Sequence, residues 1–192
     1  MPVLVRNLEK MERPTARALG LIGDAAAKEA LEERLAKYSA TQVYYQAPIL
    51  AALANLGSKA HWTKLKALMT GSSDIREACA EAVYIRTDLP FSGEVTSTLK
   101  SVMNNKNADW QGRVAATVVL ASRGDADAVK KLIADLQGSN AEIRERVLDM
   151  VGGEFERPSA ELSIRVLGVV PDAALIPALM QFRSVESSAG LK

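Results

Sequence analysis

Apolar residues along VAATVVLASRGDADAVKKLIADLQGS, from Val114 to Ser139, fall into two helical registers. Val119 and Leu120 mark one face of a first helix, while Val129, Leu132, Ile133 and Leu136 recur at the spacing of a second. Gly124-Asp125 divides them, because glycine accepts the backbone reversal and an aspartate at a helix start accepts from the free N–H groups of the first turn. So short a loop makes the two helices antiparallel neighbours. Asp127, Lys131 and Ala134 lie opposite the apolar stripe, so they are predicted to face outward.

The same alternation recurs along the chain. With Asp24 laid on Asp125, Leu19 falls on Leu120, Gly23 on Gly124, Leu31 on Leu132 and Leu35 on Leu136. With Ser58 at that position, Leu53 and Gly57 end a first helix, and Trp62, Leu65 and Met69 take the core positions of a second, although Lys66 falls where Ile133 sits. Ile75 to Met103 follows with Asp88 in the joint, Pro90 to Gly93 as extra loop, and Leu99 and Met103 on core positions. AEIRERVLDMVGG, from Ala141, reads as another first helix. The following ERPSAELSIRVLG fits either its partner or, preferably, the first helix of a further unit with Asp172 in the joint, Ile176 and Leu179 on the core and Pro177 in the first helical turn. The predicted units are 14–38, 42–73, 74–107, 108–140 and 141–182, all in one domain, with a polar, frayed tail over 183–192. A lone hairpin cannot bury both sides of its stripe, so the units are expected to stack into a solenoid.

Composition narrows the function classes. The 192 residues carry a formal charge of +1, which supplies no global field for non-specific nucleic-acid binding. Cys79 is the only cysteine and His61 the only histidine, so an intrachain disulfide and a multi-cysteine metal cluster are excluded. No run approaches the roughly 20 apolar residues of a membrane-spanning helix, and the amino terminus lacks a signal-peptide core. The expectation is a soluble, cytoplasmic protein.

LGLIGDAAAKEALEERL, LANLGSKAHWTKLKALM, LASRGDADAVKKLIADL and VLGVVPDAALIPALMQF resemble the HEAT-repeat family, particularly the short bacterial HEAT-like repeats found also in phycobilin lyases. The resemblance covers Pro14 to Phe182, and Pro48 in YYQAPILAALANLG matches the kinked first helix common in such repeats. It implies an all-α fold, a right-handed α-α superhelix of about five hairpins, that serves as a protein-binding scaffold. It also implies that the second helices line the concave side. Their outward rows are then Ala26, Ala60, Glu94 and Asp127; Ala30, Lys64, Thr98 and Lys131; and Glu33, Ala67, Ser101 and Ala134. Small side chains with isolated lysines suit a helix or peptide laid across them.

Candidate binding residues are therefore Lys64, Thr98, Lys131, Ala30, Ala67, Ser101 and Ala134, with Pro90, Phe91, Asp109 and Trp110 forming an alternative loop edge. Lys59, Lys64, Lys66, Lys100, Lys106, Lys130 and Lys131 suggest a local basic patch for an acidic peptide or, less favoured, nucleic acid. Asp24, Asp88, Asp125 and Asp172 are read as helix caps rather than metal ligands. Trp62 and Cys79 fall on core registers, and His61 lacks the convergent donors that a metal needs. The sequence has no phosphate-cradling glycine loop, nucleophile elbow or paired catalytic carboxylates, so no catalytic residue, metal or cofactor is assigned. The enzyme alternative is a HEAT-like lyase or DNA glycosylase, for which Trp62, Asp109 and Trp110 are the only comparable groups.

Overall fold

The computed structural model describes residues 2–71 and 75–152, together with Gly168. Ten α-helices and no strand lie among the described residues. In chain order they are α1 (Pro2–Asn7), α2 (Glu12–Ile22), α3 (Lys28–Leu35), α4 (Val43–Asn55), α5 (Lys59–Gly71), α6 (Ile75–Glu81), α7 (Ser92–Asn104), α8 (Trp110–Ser122), α9 (Ala126–Gln137) and α10 (Ala141–Gly152). A 3-10 turn, Ala25–Ala27, leads into α3, and another, Ala82–Tyr84, closes α6. The expected second helix with Ile176, Pro177 and Leu179, the Asp172 joint and the 183–192 tail lie outside the described residues.

The joints explain the pairing. Gly23, Gly57 and Gly124 have φ of 73°, 87° and 80°, the left-handed conformation that a side chain would strain. Asp24 then accepts from the Ala26 N–H at 2.9 Å, and Asp125 from the Ala128 N–H at 3.0 Å. Asp88 departs from that pattern. The residues after it postpone the start of α7 to Ser92, and its carboxylate accepts instead from Arg86 Nε at 3.0 Å.

The first helices pack in order, α2 on α4, α4 on α6, α6 on α8 and α8 on α10. Close approach needs bare backbone. A methyl group placed on Gly20 of α2 would stand 2.6 Å from Ala52 Cα of α4, and one on Gly112 of α8 would stand 2.7 Å from Ile75 Cγ2 of α6. The second helices stack less regularly: α5 packs on α7, whereas α3 stands off from α5 and α7 from α9.

α4 divides the core. Ile49, Ala52 and Leu53 face a cluster with Leu8, Ala16, Leu19 and Leu31, while Val43, Ala47, Leu50, Ala51 and Ala54 belong to a larger cluster running through Trp62, Leu99 and Leu120 to Met150. Leu35, at the end of α3, packs against both. Pro48 lies inside α4, where it removes the N–H that would bond the Tyr44 carbonyl. None of the described helices is long and apolar enough to cross a membrane.

Candidate functional site

Most of the predicted outward residues lie at the surface. Lys64, Ala67, Ser101 and Ala134 are exposed, and Ala30 and Lys131 are half-buried. Thr98 is a correction: it is buried, at 4% exposure. α7, packed between the second helix α5 and α8, buries Val95, Thr98, Leu99, Val102 and Met103, whereas α9, packed on the first helices α8 and α10, buries only Ala128, Leu132 and Leu136. The Thr98 hydroxyl has no hydrogen-bond partner among the described residues.

Three of the seven lysines of the predicted basic patch are neutralised, and the other four, Lys64, Lys66, Lys106 and Lys130, are exposed. Lys59 pairs with Glu94, Lys100 with Asp125 at 2.7 Å, and Lys131 with Asp135 at 3.2 Å. Glu94 also accepts from the Trp62 indole at 3.2 Å. Hydrogen bonds from Lys59 and then Trp62 hold its carboxyl below the usual range. Two of these pairs are straps between successive second helices, Lys59–Glu94 joining α5 to α7 and Lys100–Asp125 joining α7 to the start of α9. Lys64 forms no ion pair among the described residues.

α3 and α5 are not strapped in this way. The end of α3 is fastened backward instead, because Arg34 and Tyr38 both bond Glu12 of α2, and Lys37 lies 3.6 Å from Glu9. Burial, reinforced by Glu12, pushes the Tyr38 phenol up to about 12. A groove of about 610 Å³ opens between α3 and α5. Leu35, Leu50 and Leu68 give it an apolar lining, Ala36 and Ala67 keep it smooth, and Glu32, Tyr38, Gln46, His61 and Lys64 supply polar atoms. The structure therefore brings Lys64 and Ala67 together in one groove, while Ser101, Lys131 and Ala134 lie on other helices and do not line it.

His61 sits in that groove half-buried, its Nδ1 2.7 Å from the Ser58 hydroxyl. Burial first, then the Lys64 and Lys28 charges against the opposing pull of Glu32, hold its pKa below the ordinary value. The imidazole is accordingly neutral near pH 7.

The alternative loop edge is exposed only in part, at Pro90 and Asp109. Phe91 is a second correction: it is buried at 6% exposure and stacks on Trp62 with ring centroids 6.0 Å apart and planes 9° apart. Pro90 is exposed, Trp110 is half-buried against the larger core, and Asp109 caps α8 through the Gly112 N–H at 2.9 Å. Trp62, fully buried, and Cys79, whose thiol is pushed up to about 12 by burial, are core groups.

Sequence reasoning missed a buried charge cluster. Arg13 of α2 reaches Glu77 at 3.0 Å and Glu81 at 2.8 Å, both on α6, and Arg17 donates to Glu81 through Nε at 3.1 Å. The Arg13 guanidinium also covers the Tyr44 ring at 4.1 Å, and that of Arg17 the Tyr84 ring at 4.6 Å. A signal was present, since arginines four residues apart on one helix match glutamates four residues apart on another. A second cleft, of about 660 Å³, lies beside this cluster and includes Met11, Tyr44 and Tyr45. No group of three or more His, Cys, Asp or Glu side chains placed to hold a metal ion occurs among the described residues.

Searches against protein-family models, curated proteins and solved structures return no match.

Proposed function

We propose that the chain is a HEAT-like α-solenoid, a right-handed superhelix of about five hairpins, that binds a partner protein through its second helices. Three left-handed glycine joints and the unbroken order of first-helix packing support the architecture. The α3–α5 groove carries the binding assignment. It combines an apolar lining with a lysine and a neutral histidine, and it lies between second helices, which the family resemblance marks for recognition. Its volume falls in the range of preformed ligand sites, and the small side chains of Ala36 and Ala67 permit close approach.

The test is affinity purification at near-physiological salt with the full chain and with the Leu68→Asp variant, whose helicity is checked by circular dichroism. A partner retained by the wild-type chain and lost by the variant supports the proposal. Partners held equally by both would remove the groove from the function. Binding should depend weakly on salt, because an apolar contact with few charges releases few counterions, in contrast to a nucleic-acid ligand.

A further inference from the structure

We infer that the groove's occupant is an amphipathic helix of a partner protein, which seats apolar side chains against Leu35, Leu50 and Leu68 and presents a carboxylate to Lys64. This rests on the binding proposal above and adds the form and charge of the partner.

The helix follows from the walls. His61, Lys64 and Leu68 lie at i, i+3 and i+7 along α5, and Glu32 and Leu35 at i and i+3 along α3, with Ala36 next as its C-cap. Two ridged helical faces accept a third helix by interdigitation. α5 already packs on α7 and is strapped to it by Lys59–Glu94, but α3 stands off from α5, which leaves the groove between them open to an incoming face. An extended peptide would fare worse. The described residues contain no strand to pair its backbone, whereas a helix satisfies its own N–H and C=O groups.

The carboxylate follows from the charges around the groove. Glu32 has Lys28 3.9 Å away, on its own helix, and the burial-favoured form of His61 is neutral. Lys64 is exposed and pairs with no carboxylate among the described residues, so it is the groove cation that an incoming acid can meet. An ion pair at such a rim sets orientation and partner choice more than total affinity.

The experiment selects random displayed peptides, long enough for four helical turns, against the full chain. Enriched peptides are then measured by fluorescence anisotropy with the wild type, Lys64→Glu, Leu68→Asp and Lys131→Glu. The expected consensus has apolar residues at i, i+3 or i+4 and i+7 with an Asp or Glu beside them. Lys64→Glu should weaken binding several-fold, Lys131→Glu should leave it unchanged, and exchanging the peptide's acid for Lys should restore affinity for Lys64→Glu. A consensus that is proline-rich or extended, or peptides lost on Leu68→Asp but indifferent to Lys64→Glu, would overturn the inference and leave the binding proposal standing. Groove-independent capture of every peptide, together with equal partner recovery by wild type and Leu68→Asp, would sink both. A dimer of the chain that dissociates on Lys64→Glu would also overturn it, by making a second copy the occupant.

Discussion

Replacing Glu81 with Ala should destabilise the amino-terminal half of the protein by about 3–5 kcal/mol, the cost of stranding buried charges when one partner is removed. Glu81 is fully buried and serves two arginines, receiving Arg13 at 2.8 Å and Arg17 Nε at 3.1 Å. After the substitution Arg13 keeps Glu77 at 3.0 Å, but Arg17 loses both of its hydrogen bonds to Glu81 while its side chain remains only 14% exposed. Water therefore compensates little. With a urea slope of about 1–3 kcal/mol per molar, the unfolding midpoint falls by roughly 1 M or more. Hydrogen exchange locates the loss: amides of α2, α4 and α6 should lose protection while those of α9 keep most of theirs, because packed repeats transmit instability chiefly to neighbours. The double variant Glu81→Ala, Arg17→Ala should recover about 1–3 kcal/mol relative to the sum of the single changes. A loss below about 1 kcal/mol, or strict additivity, would refute the view that this cluster clamps α2 to α6.

Gly20→Ala should cost about 1–3 kcal/mol, since its new methyl would press on the Ala52 backbone, whereas Gly93→Ala, with open space at the start of α7, should gain up to about 1 kcal/mol from helix propensity. Denaturant melts of both variants decide this, and equal effects would mean that α2 and α4 separate freely. Cys79 should react with a thiol reagent at pH 8 only as fast as α6 opens, because it is fully buried and its thiol is pushed up to about 12. Labelling of the native protein at the rate of a free thiol would contradict that burial.

Local chemistry made the joints legible, and tertiary choices hid much of the rest. Gly23-Asp24 and Gly124-Asp125 announce both the backbone conformation and the cap, and the stripes through Trp62, Leu65 and Met69 and through Leu132 and Leu136 announce the core. Asp88 misled because extra loop residues separate it from the helix that it was expected to cap. Thr98 misled because the repeat alignment equates it with Lys131, although only α7 among these two helices is packed against another second helix. Phe91 lay in a loop by sequence but finds the Trp62 ring across the hairpin stack. The groove was half legible. Lys64 and Ala67 came from the outward rows, but the wall that faces them, Leu35 and Tyr38 at the end of α3 fastened to Glu12 of α2, rests on a contact more than twenty positions apart in sequence.

The two sides of the stack are built from different contacts, and that difference bears on the proposed binding site. First helices meet through glycine and alanine at Gly20–Ala52 and through Gly112 against Ile75, so their axes can approach closely. Second helices are joined at longer reach by side chains, Lys59 to Glu94 and Lys100 to Asp125. The groove between α3 and α5 is an opening on the second-helix side of the stack. Beside it, the Glu12 clasp on Arg34 and Tyr38 fastens the end of α3 to α2. A helix seated against α5 works with that clasp, since it fills the space without requiring α3 to move.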